Sequence, residues 1–139
     1  MSLESCRVWV ETTFKTAMTA SYPAVPVKYE NAPFRQPETT WVALHILEGG
    51  AFSTELGPTP CDRHVGIIQV DVLVPADQGT AVANTLAEFT GNVFRLVHTV
   101  LSDQAYLRTE VPSFRYWGVQ NGFFRVTTRI KFKRDEPRR

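Results

Sequence analysis

The sequence predicts an α+β domain: a largely antiparallel or mixed β-sheet with two main helices packed on one side and a long hairpin arm between the central strands. Three observations predict it. An apolar strand, Ile67 to Val74, runs into Pro75, breaks at Asp77-Gln78-Gly79 and restarts as an amphipathic segment. A helical stripe opens the chain. Two alternating runs joined by Gln120-Asn121-Gly122 come late in it.

Taken in order, the first element spans about Ser2 to Ala20. Cys6, Val10, Phe14, Ala17 and Met18 share one helical face with Trp9 at its edge, and Glu4 suits the positive end of the helix dipole. Pro23 and Pro26 end it, since proline removes a donor and biases its predecessor to extended geometry. Val27 to Asn31 is a short edge strand. Ala32 to Thr39, with Pro33 and Pro37, is a connection. In Thr40 to Leu47, Val42, Leu44 and Ile46 lie on one face and Trp41, Ala43, His45 and Leu47 on the other, so both sides are covered.

Glu48 to Asp62 holds three glycines and two prolines and reads as an irregular stretch, the arm of an extended hairpin. Phe52 and Leu56 have no evident core to join there, and Phe52 to Pro60 is expected to be mobile in the isolated subunit and ordered in an assembly. In the strand that follows, Ile68, Val70, Val72 and Val74 form the apolar face, opposite Ile67, Gln69, Asp71 and Leu73. Asp77 is placed to cap the second helix, whose stripe is Val82, Leu86, Phe89, Val93 and Val97. Thr99 to Gln104 is a connection. Tyr106 to Trp117 and Phe123 to Phe132 then form a hairpin, because Asn-Gly supplies the positive φ angles of a tight turn. Phe124, Val126, Thr128, Ile130 and Phe132 face inward; Arg125, Thr127, Arg129 and Lys131 face outward.

The 139 residues fit a single domain, 1–139, with 134–139 a frayed basic tail. No apolar run reaches the roughly 20 residues of a membrane helix. Two cysteines make no disulfide framework, and synthesis in a reducing cytoplasm is expected. The net charge of +1 is unevenly spread: Met1 to Phe124 carries eight basic and twelve acidic residues, a net −4, whereas seven basic residues follow Phe124 against Asp135 and Glu136. An acidic body with a basic end favours self-association through complementary patches.

Catalytic chemistry finds little support. Cys61-Asp62-Arg63-His64 holds a thiol and an imidazole, but neighbours in extended chain point to opposite faces and no oxyanion element accompanies them. His45, His64 and His98 are scattered, so paired zinc spacing is lacking. Glu48-Gly49-Gly50 has no following lysine at phosphate-loop spacing. Asp71 reads as a residue facing solvent, a neighbouring subunit or a buried hydrogen-bond partner. The basic strand lacks interleaved aromatics for stacking on bases. The chain reads as a non-enzyme that uses no cofactor and no metal.

The strand GIIQVDVLVP, its short Gly-containing turn and the Ala-rich helix ending in NVF resemble the tail terminator proteins of long-tailed bacteriophages. The resemblance extends over LESCRVWVETTFKTAM, the strand TTWVALHIL and the pair Arg63 and Gly66, and covers about Leu3 to Phe132. It implies a structural virion protein forming a ring, a hexamer, that caps the tail tube, stops its polymerisation and joins the tail to head-completion or connector proteins. Its partners would be further copies of itself, the tube protein and the connector, with genomic DNA only as passing cargo. Its place would be the virion tail or neck, after assembly in the host cytoplasm. Another neck component, or more distantly a small α+β enzyme or ligand-binding domain, is the alternative. Phe52, Glu55, Leu56, Arg63, Arg125, Arg129 and Lys131 are the residues expected to touch the tube or a neighbouring subunit.

Overall fold

The computed structural model of the protein describes residues 2–54 and 61–137. Helix α1 (Ser2–Ser21) is followed by β1 (Val27–Lys28), β2 (Trp41–Thr54), β3 (Cys61–Pro75) and helix α2 (Ala81–Phe94). Four strands complete the order: β4 (His98–Val100), β5 (Tyr106–Thr109), β6 (Ser113–Gln120) and β7 (Phe123–Pro137). They form one mixed sheet in the order β1-β2-β3-β7-β5-β4, with β6 beside β5 on the same flank of β7. Among the described residues only the β1–β2 pairing is parallel. The fold is the expected α+β sheet with two helices.

Both helices cover one face. Cys6, Val10, Phe14 and Met18 of α1 are buried as their spacing demands, against Leu44, Ile68, Val70, Val126 and Ile130 of the sheet. Phe94 of α2 links the layers, stacked on Phe14 with ring centroids 6.0 Å apart and tilted against Trp9 at 5.9 Å. The opposite face carries a smaller cluster, Trp41, Ala43 and Phe123 with Phe34 and Leu73. Trp41 and Ala43 thus find cover on their side of β2, as the two-sided apolar pattern requires.

Several expected boundaries move. The stretch from Glu48 is strand, not irregular chain: β2 runs to Thr54, pairs with β3 from Cys61, and absorbs its glycines in one register shift between Glu48 and Ala51. Gly66 permits the close packing here, because a Cβ would lie 2.6 Å from both the Leu47 carbonyl oxygen and the Phe132 ring.

Helix α2 begins at Ala81 behind Thr80, so Asp77 is not its cap; Asp77 sits in the turn with φ +65°. That start rotates the buried face to Ala83, Leu86, Ala87, Thr90, Gly91 and Phe94, and leaves Val82 exposed. Small residues win this contact because they let the helix approach β7 closely, where Thr128 Oγ1 donates to the Ala87 carbonyl at 3.2 Å.

The expected connection Thr99 to Gln104 begins inside β4, and the run Tyr106 to Trp117 is two strands divided at Glu110–Pro112. The Asn121-Gly122 turn forms as expected, with φ +52° and +82°. The segment taken for a frayed tail is ladder as far as Pro137, paired to β3. Arg134 within it is buried beneath α1. Burial is the largest single influence and works against its charge, but the hydrogen bonds and charge of Glu48, together with Cys6, outweigh it and hold the pKa above the ordinary arginine value.

Candidate assembly surface

The unbroken β3–β7 register assigns each side chain to a face. On the face away from the helices, rows of residues cross the sheet. At the arm, Phe52, Arg63, Asp135, Tyr106 and Val100 stand side by side. Phe52, Tyr106 and Val100 are each more than half exposed, flanking an ion pair in which Arg63 Nε and Nη2 donate to Asp135 at 2.7 and 2.9 Å. These two bonds, a bidentate fork, hold the Asp135 carboxyl below its usual range and raise Arg63. A shallow cavity of about 400 Å³ opens beside this row, lined by Arg63, His98, Tyr106 and Asp135 among others.

Further along the same face, Lys131 lies opposite Ile67 and Arg129 opposite Gln69, both basic side chains exposed. Arg108 and Arg115 on the neighbouring strands are exposed as well. Arg125 differs: it is half-buried, and its Nη2 donates to Asp71 Oδ2 at 3.1 Å.

Asp71 is the hub of a buried polar group. Thr127 Oγ1 donates to its Oδ1 at 2.7 Å, and His45 Nε2 lies 3.4 Å from its Oδ2. Trp117 Nε1 in turn donates to Thr127 at 2.7 Å, while the guanidinium groups of Arg115 and Arg125 lie 3.8 and 4.9 Å from the Trp117 ring centroid. Asp71 therefore anchors β3 to β7; of the roles open in its sequence, the buried hydrogen-bond partner is the one it takes.

Of the seven residues expected to make contacts, the described structure brings Phe52 and Arg63 together at the arm and sets Arg129 and Lys131 beside each other on the sheet. Arg63 and Arg125 are engaged within the subunit. Glu55 and Leu56, with most of the segment expected to be mobile, lie outside the described residues. Sequence reasoning missed Tyr106, Val100, Arg108, Arg115 and Trp117. The signal was the short alternation around Tyr106, but the breaks at Glu110–Pro112 and between Tyr116 and Gly118 hid its phase.

The Cys61–His64 segment belongs to a strand and not to a loop end. Its alternation puts Cys61 with Arg63 on one face and His64 on the other, where His64 Nε2 lies 3.6 Å from Glu136. A thiol and an imidazole on opposite faces do not make a nucleophile pair. Among the described residues no helix is long and apolar enough to cross a membrane.

Comparison with known proteins gives this surface its context. No curated protein sequence matches the chain. Among solved structures, one with no stated function superposes with a TM-score of 0.75 at 20% identity, over 96% of each chain. Another, a chain of the virion of a native gene transfer agent particle, gives 0.61 at 21% identity over 91% of each. At these identities the likeness establishes the fold. A family model described as Phage tail terminator protein matches residues 9–115, most of the sequence. The chain belongs to the phage tail terminator family, structural proteins of the virion tail.

Proposed function

We propose that this single-domain protein closes into a hexameric ring that caps the tail tube, stops its growth and offers its other side to a head-completion or connector protein. Membership in the terminator family supports the reading. The observation that carries its surface assignment is the outer sheet face, where exposed Arg129 and Lys131 adjoin the row that holds exposed Phe52 of the arm and exposed Tyr106 of β5. Apolar anchors beside a basic band suit a lasting contact with an acidic protein surface. We assign that contact to the tube, with DNA passing only as cargo, because a channel lined by strong phosphate binders would impede ejection. Ring subunits of this kind are made in the host cytoplasm and end in the virion.

The test is to add purified protein to polymerising tube protein and measure tube length. Wild-type protein is expected to halt growth in proportion to the ends it occupies. Arg129→Glu combined with Lys131→Glu is expected to weaken capping, most at low salt, with the gap to wild type narrowing as salt screens the contact. Normal capping by the double variant with altered DNA retention would move this face to the lumen. Tubes that grow unchanged with wild-type protein would overturn the terminator role.

A further inference from the structure

A ring built from identical subunits needs two unlike surfaces that mate head to tail. The sheet has two such edges. On the β1–β2 side, a groove of about 570 Å³ opens between α1 and β2. Leu3, Leu44 and Ile46 line it, and Glu4, Glu11 and Glu30 stand around them. Arg7 binds both Glu4 and Glu11, at 2.7 Å to the latter, while Glu30 accepts from the Ile46 N–H, so one guanidinium stands against three carboxylates and the rim stays acidic.

On the opposite flank β6, like β4, is an edge strand, bonded to β7 on one side only. Most of it is exposed, including Phe114 at 48%, Tyr116 at 61% and Val119 at 59%, with Arg115 between the two aromatics. An uncovered strand rich in aromatics is a surface that soluble proteins normally shield.

We infer that the β6 edge of one copy seats Phe114 in the α1–β2 groove of the next, with Arg115 meeting its acidic rim. The inference rests on the ring reading and names its mating surfaces. Three observations carry it. The groove is apolar within and acidic around; the edge is aromatic with basic flanks, so the chemistries are complementary. Phe114 pairs with Thr128 and Tyr116 with Val126, both helix-side residues, so these aromatics lean to the same side of the sheet as Leu44 and Ile46. The two features occupy opposite edges of one sheet, and their contact leaves a groove and an edge open at the ends of any chain of subunits until rotation closes it. The seating is by side chains and not by extending the ladder, because the Ile46 N–H at the groove already donates to Glu30 Oε1 at 2.6 Å.

Light scattering and native mass spectrometry on wild type, Phe114→Glu and Leu3→Glu test it, with circular dichroism to verify folding. Wild type is expected as a ring and each variant as a monomer. An equimolar mixture of the two variants is expected to give a discrete dimer and nothing larger, since one intact groove meets one intact edge. Arg115→Glu and Glu30→Lys replace either variant that does not fold. Rings from either folded variant, or monomeric variants that do not pair when mixed, would overturn the mating surfaces while leaving the ring intact. A monomeric wild type would overturn the ring and this inference with it.

Discussion

The Thr127 hydroxyl donates to Asp71 Oδ1 at 2.7 Å, joining β7 to β3 beneath the outer face. Arg125 and His45 complete the surroundings of the same carboxylate. Asp71→Ala removes the acceptor from a nearly buried site and leaves Arg125 and Thr127 without it. The expected loss is about 2 kcal/mol, in the range for hydrogen bonds to a charged group. Urea denaturation checks this, and a change under 0.5 kcal/mol would refute the anchoring role. Arg125→Glu should destabilise the fold too, by facing two carboxylates at one site, so it is a poor probe of assembly.

Gly66→Ala is expected to cost about 2 kcal/mol or more, as overpacking does in well-filled sites. Its Cβ would meet the Leu47 carbonyl oxygen, which is backbone and cannot swing away. Gly50→Ala, with nothing within 4 Å of the added carbon, serves as the control and should stay within ~0.5 kcal/mol of wild type. Equal melting temperatures for the two variants would contradict the packing.

Cys6 is 1% exposed, and burial pushes its thiol pKa up, whereas Cys61 is half-buried. A small thiol reagent at neutral pH should label Cys61 first and reach Cys6 only on unfolding. Mass mapping that found Cys6 modified in folded protein would show that α1 lifts from the sheet.

The Arg63–Asp135 pair predicts a pH dependence. Asp135 is lowered chiefly by Arg63's hydrogen bonds, so the pair's contribution is complete above the unfolded carboxylate value and is lost as pH falls through the folded one. Asp135→Asn should lower stability by up to about 1 kcal/mol at neutral pH. The gap between variant and wild type should begin to narrow below pH ~4, where the unfolded carboxyl protonates, and close as the folded one protonates in turn. Melting curves that keep the gap at pH 2 would exclude the pair as its source.

Much of the architecture was legible because single residues decided it. Pro75 ended β3, Asn121-Gly122 made the hairpin turn, and Cys6, Val10, Phe14 and Met18 declared the α1 face. Other parts depended on tertiary partners. Val82 and Ala83 are equally credible core positions until the closeness of α2 to β7 chooses the smaller one. Gly49 and Gly50 at the root of the arm suggested irregular chain, yet β2 continues through them with a single register shift. For the assembly surface, alternation showed that Arg125, Arg129 and Lys131 share a face. It gave no sign that Asp71, distant in sequence, would engage the first of them.

The position of β7 in the sheet also bears on how the chain reaches this structure. Pro75 pairs with Phe123 and Cys61 with Pro137, so the flank of β3 is completed by residues that lie a whole helix and three strands further along the chain. Until then the β2–β3 hairpin offers an open edge, and the pairing that closes it demands a large loss of chain entropy before any contact rewards it. Folding should therefore be slow for a chain of this size, on a scale of milliseconds to seconds, with β3–β7 zippering as the committing step. During that interval the half-made sheet is the species most open to aggregation, and conditions that prolong it should lower the yield of soluble subunit.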